Sequence, residues 1–381
     1  WVPFFIQQIS FKRTFMRFPV AAIVASLALT LFIAGEPILA QDAPPAAHAQ
    51  TSAVEAPTEY EASWQSLHMG TLITGKVFGK TAAEAERLAK LVESEIVRFD
   101  DMMSVHKETV LNEVNCQTGE WVAVTPEIAE MTKEAILVAD MTDGAFEPTI
   151  GPLVNLWKIG FGGHSVPSDE KIDEALKLVD HSTIAVKEEN GQWYLRIGNG
   201  QNIDMGAIAK GYIGQKLADR LKAEGAKHAL LDLGGNVVAV GDKPGGQPWR
   251  VGLQCPDQTR GAYFAVVTAI DESVITSGAY ERNFEKNGKR YGHILSAKTG
   301  RPVQTDLSSV TIVDANGAKA DALCTALFGM GEKAAQAFLE QHADVQAVLL
   351  SADFKTAFVS DGLQDKVRVT DPSITVKIIK H

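Results

Sequence analysis

The chain has 381 residues, 45% of them hydrophobic and 22% charged, enough apolar material for one large domain or two lobes around a substantial core. Its formal charge of −11 argues against a general nucleic-acid binder, which needs a basic surface, and an anionic ligand would need local donors or a metal. The three cysteines, Cys116, Cys255 and Cys324, have neither zinc spacing nor the density of a disulfide-stapled domain.

At the N-terminus, Lys12, Arg13 and Arg17 precede the apolar run FPVAAIVASLALTLFIAG (18–35), and small-residue sites ending at Ala40 and Ala49 follow. Basic, then apolar, then small is the order of an export signal, assigned here to residues 1–40, with Met16 as the expected start. Cleavage is expected, and retention as a single membrane anchor is the alternative. Residues 41–62, rich in Ala, Pro and Thr, read as a flexible linker, and the folded domain is expected over 63–381.

LHMGTLITGKVF (67–78) reads as a strand. Thr81 then caps an amphipathic helix to about Met103, with Leu88, Val92, Ile96 and Phe99 as its stripe. A second helix starts at Thr125-Pro126 and runs to about Met141; a third follows Ser168 through Ile172, Leu176 and Val179. Asn190-Gly191 and Asn287-Gly288 each join two strand-like runs as a hairpin, and a helix from Gly206 to Glu224 lies between them. After residue 308 come a strand, the apolar helix KADALCTALFGMG (319–331), a further helix from Glu332, and strands at 346–351, 354–359 and 374–379. Helices and hairpins mix irregularly, which predicts an α+β fold with mostly antiparallel sheets.

Familiar signatures fail. GKVFGKT (75–81) lacks the first P-loop glycine because Thr74 holds that position, GFGG (160–163) is short of a dinucleotide fingerprint, and no HExxH or GxSxG occurs. Three stretches are denser in special residues than a scaffold needs. In DGAFEPTIGPLVNLWKIG (143–160), turn residues and aromatics alternate. In IDMGAIAKGYIG (203–214), Gly206 and Gly211 bracket Lys210 at a helix start, an arrangement that suits either a phosphate or close helix packing. In TSGAYERNFEKNGKRYGHILSAKTG (276–300), His293 ends a hairpin strand beside a Thr299-Gly300 turn; a lone histidine there is more often packed than catalytic. On the apolar helix, Asp321 and Thr325 stack on one face, as a cap with a back-bonded hydroxyl or as paired ligands.

In order, MGT (69–71), DGAFEPTIGPLVNLW, IDMGAIAKGY, LDLGGN, TSGAYER, HILSAKTG and ADALCTALF resemble the ApbE family of FAD:protein FMN transferases, over about residues 64–365. The resemblance implies a T-fold-related, two-lobed single catalytic unit. It would be exported, periplasmic or membrane-associated on the outer face of the inner membrane. It would bind FAD and Mg²⁺ and pass FMN to a Thr or Ser hydroxyl of a target protein, a membrane redox subunit, with release of AMP.

The resemblance also implies roles. Asp321, Thr325 and the main-chain oxygen of Ala207 match metal ligands, all hard oxygens as Mg²⁺ prefers. Lys210 matches the diphosphate contact and His293 the base. Met69 would lie against the isoalloxazine, Gly234 and Gly235 would let backbone approach the ligand, and Thr299 and His106 complete the cofactor contacts. His106 stands where the family has a stacking tyrosine, Val110 where it has a glutamate, Glu147 for an aspartate, and Ser296-Ala297 for Asp-Pro. A Mg²⁺-dependent FAD pyrophosphatase and a non-catalytic exported FAD carrier are the alternative readings.

Overall fold

The computed structural model describes residues 59–103, 108–160, 162–163, 165–255, 261–278, 283–286 and 288–381. The expected signal and most of the expected linker lie outside them, as does His106.

The first half contains β1 (Tyr60–His68), β2 (Thr71–Gly79), α1 (Ala82–Met103), α2 (Val110–Cys116), β3 (Val122–Val124), α3 (Pro126–Met141), α4 (Gly151–Trp157) and α5 (Asp169–Leu176). The middle contains β4 (Ala185–Glu189), β5 (Gln192–Arg196), α6 (Ala209–Ala223), β6 (Ala229–Asp232), β7 (Asn236–Val240), β8 (Trp249–Gln254), β9 (Tyr263–Ala269) and β10 (Ser273–Gly278). Then come β11 (Asn283–Lys286), β12 (Lys289–Gly292), β13 (Leu307–Asp314), α7 (Gly317–Met330), α8 (Glu332–Gln341), β14 (Gln346–Ser351), β15 (Thr356–Ser360), β16 (Val367–Val369) and β17 (Thr375–Ile379).

A nine-stranded sheet in the order β1-β2-β6-β7-β10-β13-β14-β15-β17 is the backbone of the fold. Every pairing in it is antiparallel except β15 with β17. The fold is thus α+β with antiparallel-dominated sheets. Central strands are apolar on both faces, because side chains alternate across a sheet that is covered twice. Ile275, Ile312 and Leu349 enter a core under the helices, while Val274, Val313 and Val348 enter a second core against the small sheet β16-β9-β8. A satellite core gathers Leu153, Trp157, Ile172 and Phe284 beneath α4, α5 and the β11–β12 hairpin.

Most expected elements form. The α1 stripe Leu88, Val92, Ile96 and Phe99 is buried, and α3 starts at Pro126 behind a Thr125 side-chain cap. The run expected as one strand from 67 to 78 is instead the β1–β2 hairpin. Its turn is Met69-Gly70, both at positive φ (51° and 69°), with the Met69 N–H bonded to Asp100 (3.2 Å). A methionine in a left-handed turn is rare, so local sequence hides it. β1 also takes in Tyr60–Ala62, which composition groups with the linker. The helix expected to run through Val179 ends at Leu176.

Helix α7 is apolar all round because it is buried all round, between α6, α3 and the sheet. It crosses α6 where two glycines meet. A Cβ on Gly211 would run into the Gly317 carbonyl, and one on Gly317 into the Gly211 carbonyl. Close approach of two backbones therefore requires glycine at both positions.

Candidate active site

The start of α6 is irregular for a reason. Ala209 and Tyr212 donate to Met205 and Ile208, as in a regular first turn, but the Gly211 N–H donates to Asp321 Oδ2 of α7 (2.8 Å). The regular acceptor four residues back would be the Ala207 carbonyl. Among the described residues that carbonyl accepts no backbone hydrogen bond. Asp321 therefore does two things: it caps α6 from a neighbouring helix, and it leaves Ala207 with an unused oxygen.

Asp321 is not the cap of its own helix. That role belongs to Asn316, whose side chain accepts from Lys319 N (2.9 Å). Asp321 is 4% exposed, and no described residue bonds its second oxygen. One turn on, the Thr325 hydroxyl makes no side-chain hydrogen bond among the described residues. Both expectations of capping and back-bonding within the helix are thereby replaced by two polar groups turned to a cavity.

That cavity has a volume of about 220 Å³ and is lined by Ala207, Lys210, Asp321, Thr325 and His293 together. Phe146, Ile150, Val154 and Ile159 give it an apolar wall; Glu147, Asp204, Asn236, Thr276 and Ser277 supply further polar groups. Helix α6 brings Lys210, α7 brings Asp321 and Thr325, and the loop leaving the β11–β12 hairpin, just past the end of β12 at Gly292, brings His293. The hairpin is anchored by Tyr291, stacked on Phe284 at 5.0 Å and tilted against Trp157 at 5.9 Å.

The Lys210 ammonium has no carboxylate partner among the described residues, so the one cation of this wall is available to an anion. The free oxygen of Asp321, the Thr325 hydroxyl and the orphaned Ala207 carbonyl are all hard donors with a single charge among them. They fit a divalent cation that keeps other ligands from water and substrate. Among the described residues there is no group of three His, Cys, Asp or Glu side chains that would hold a metal instead.

The sequence model of the ApbE family matches residues 69–349. The FAD:protein FMN transferase of Treponema pallidum is 35% identical over 326 residues, 82% of this chain and 90% of the relative. That of Klebsiella pneumoniae is 34% identical over 291 residues, 76% and 89% of the two chains. The chain belongs to the ApbE family. It is, with these relatives, a transferase. The crystal structure of the ApbE protein of Thermotoga maritima superposes with a TM-score of 0.73 at 29% identity, covering 81% of this chain and all of that one. The flavin transferase ApbE of Vibrio cholerae gives 0.70 at 28% identity, covering 81% and 99%.

Not every residue singled out in this ApbE chain reaches the cavity. Met69, Gly234, Gly235 and Thr299 are not among its lining. Gly234 and Gly235 sit at φ +73° and +98° in the β6–β7 turn, with the first packed against Thr71, so turn geometry alone demands them. Thr299 is exposed, its N–H bonded to Ser296 Oγ (3.2 Å). Ser296 Oγ also accepts from Lys298 N (3.2 Å), so Ser296 closes the turn after His293. Serine and aspartate both do this work.

Glu147 is the carboxylate whose partners sequence reasoning missed. It is 8% exposed; Oε1 accepts from Thr149 N (2.9 Å) and Oγ1 (2.6 Å), and Oε2 lies 2.7 Å from His181 Nδ1. His181 Nε2 in turn lies 3.2 Å from Asp140. Burial pulls the His181 pKa down, but hydrogen bonds and charge from Glu147 and Asp140 outweigh it and raise the pKa above its ordinary value. A raised histidine stabilises the fold in full below its unfolded pKa of about 6.5, and the contribution fades as pH climbs through the native pKa. Urea denaturation should therefore show wild type ahead of His181→Gln at about pH 5.5, with the gap narrowing at higher pH. A gap independent of pH would mean that the pair is not charged.

Proposed function

We propose that this chain is a Mg²⁺-dependent FAD:protein FMN transferase that moves FMN from FAD to a Thr or Ser hydroxyl of a target protein. The observation that carries the reading is the convergence of Lys210, His293, Asp321, Thr325 and the unused Ala207 carbonyl on one cavity. The relatives are FAD:protein FMN transferases, which suggests the substrate, and the chemistry of these residues suits a diphosphate.

Asp321, Thr325 and the Ala207 carbonyl would hold the cation, which when bound supplies charge neutralisation of the diphosphate. Lys210 binds a phosphate oxygen and offsets charge that a protein of formal charge −11 would otherwise repel. The hydroxyl oxygen of the target forms a bond to the FMN-side phosphorus, the bond from that phosphorus to the AMP oxygen breaks, and AMP leaves. His293 takes the hydroxyl proton on a ring nitrogen, as a neutral imidazole does near neutral pH. The apolar wall of Phe146, Ile150, Val154 and Ile159 excludes competing water from the reacting side.

The basic–apolar–small N-terminus supports export to the periplasmic side, where the flavin-accepting partner, a membrane redox subunit, would be met. Mass spectrometry of protein from its native host should find a mature start after Ala40 or Ala49, and recovery of the intact chain from the cytosol would sink this part of the proposal.

The activity itself is tested by incubating protein with FAD, Mg²⁺ and an acceptor domain while following AMP, free FMN and protein-bound flavin. AMP and acceptor-bound flavin should rise together, and free FMN in place of acceptor-bound flavin would make the enzyme a hydrolase. His293→Ala should lower turnover by about two to four orders of magnitude with FAD affinity kept. An equal loss of affinity would recast His293 as a binding contact.

A further inference from the structure

Asn236 is the first residue of β7, directly after the Gly234-Gly235 turn. It is 1% exposed, it lines the cavity, and its Nδ2 has no hydrogen-bond partner among the described residues. Among the described residues three other buried side-chain atoms share that condition, Trp64 Nε1, Ser66 Oγ and Gln346 Oε1, and none of them belongs to the cavity wall. Alternation along β7 aims Asn236 to the same face as Val238, whose side chain meets Gly214 of α6. Its Cα pairs with Ile275, whose carbonyl accepts from Cys324 Sγ (3.3 Å), one residue before Thr325. Asn236 therefore forms the floor on which the α6–α7 crossing stands.

A primary amide brings two N–H donors, and burying one without an acceptor is unfavourable. A leucine would fill the same space without that cost, so the amide is explained by something that enters the cavity and accepts. We propose that Asn236 is a substrate-binding residue whose Nδ2–H donates to an acceptor oxygen of the bound dinucleotide. This inference rests on the FAD reading above. Both the diphosphate and the isoalloxazine carbonyls offer such an oxygen, and the choice between them is an arm of the test.

The experiment titrates wild type, Asn236→Leu and Asn236→Asp with FAD, FMN and ADP at fixed Mg²⁺, and records the melting temperature of each protein without ligand. Asn236→Leu should melt no lower than wild type, because an unpaired donor has been removed, while its Kd for FAD rises by roughly tenfold. Asn236→Asp keeps the shape and loses the donor, so its FAD affinity should fall at least as far; it also decides the matter if the leucine variant does not fold. A loss shared with ADP assigns the acceptor to the diphosphate; a loss shared with FMN and not ADP assigns it to the flavin half. Unchanged FAD affinity in both variants would overturn the inference and leave Asn236 to an internal water. Failure of wild type itself to bind FAD would instead overturn the functional reading, a separate result.

Discussion

The site depends on one contact between two helices. Gly211 and Gly317 allow α6 and α7 to touch backbone to backbone, and only at that separation can the Asp321 carboxylate reach the Gly211 N–H. The bond redirects a donor that a regular helix would aim at Ala207. One carboxylate thus fixes the start of α6, the helix that carries Lys210 to the same cavity, and frees a carbonyl oxygen. Any side chain at position 211 would push the helices apart and undo all of these together.

The cavity lies where the helical core meets the satellite core, which explains how its walls differ in character. The α6–α7 side is polar and held by the large sheet, whereas Ile159 belongs to, and Ile150 packs on, the cluster that carries the β11–β12 hairpin. His293 leaves that hairpin, so base and metal-ligand candidates are supported by separate cores. Ser296 secures the His293 loop from beyond the turn, and an ion pair from Lys298 to Asp143 ties the loop to the DGAFEPT segment (2.6 Å). Ser296 and Ala297 belong to that turn and not to the cavity wall. Glu147 is occupied by Thr149 and His181 and so does not point an uncompensated charge at an anionic substrate.

Much of this was legible in the sequence. The stripe of α1, the Thr125-Pro126 start of α3 and the Asn190-Gly191 hairpin follow from periodicity and turn chemistry, which are local. The order of motifs carried the family. Sequence reasoning stopped where the cause is distant. Met69 becomes a turn residue because Asp100, 31 residues on, takes its N–H. Asp321 takes its meaning from Gly211, 110 residues away, and Glu147 from His181, 34 residues away. In the sequence Gly211 suits either a phosphate or close helix packing; its N–H is consumed by Asp321, so packing is its work. Asn236 sat unnoticed beside two glycines that drew attention because glycine is conspicuous, while the glycines themselves serve the turn.

In the proposed function, Asp321 builds a cation site by freeing Ala207 and presenting its own second oxygen. Equilibrium binding of Mn²⁺, as a paramagnetic probe in place of Mg²⁺, tests it most directly when compared between wild type and Asp321→Asn in the presence of FAD. About one bound ion per chain is expected in wild type and its loss in the variant, with the ligand-free melting temperature changed little, since an asparagine oxygen still accepts from Gly211. Equal Mn²⁺ binding by both proteins would contradict it and reduce Asp321 to a cap on α6.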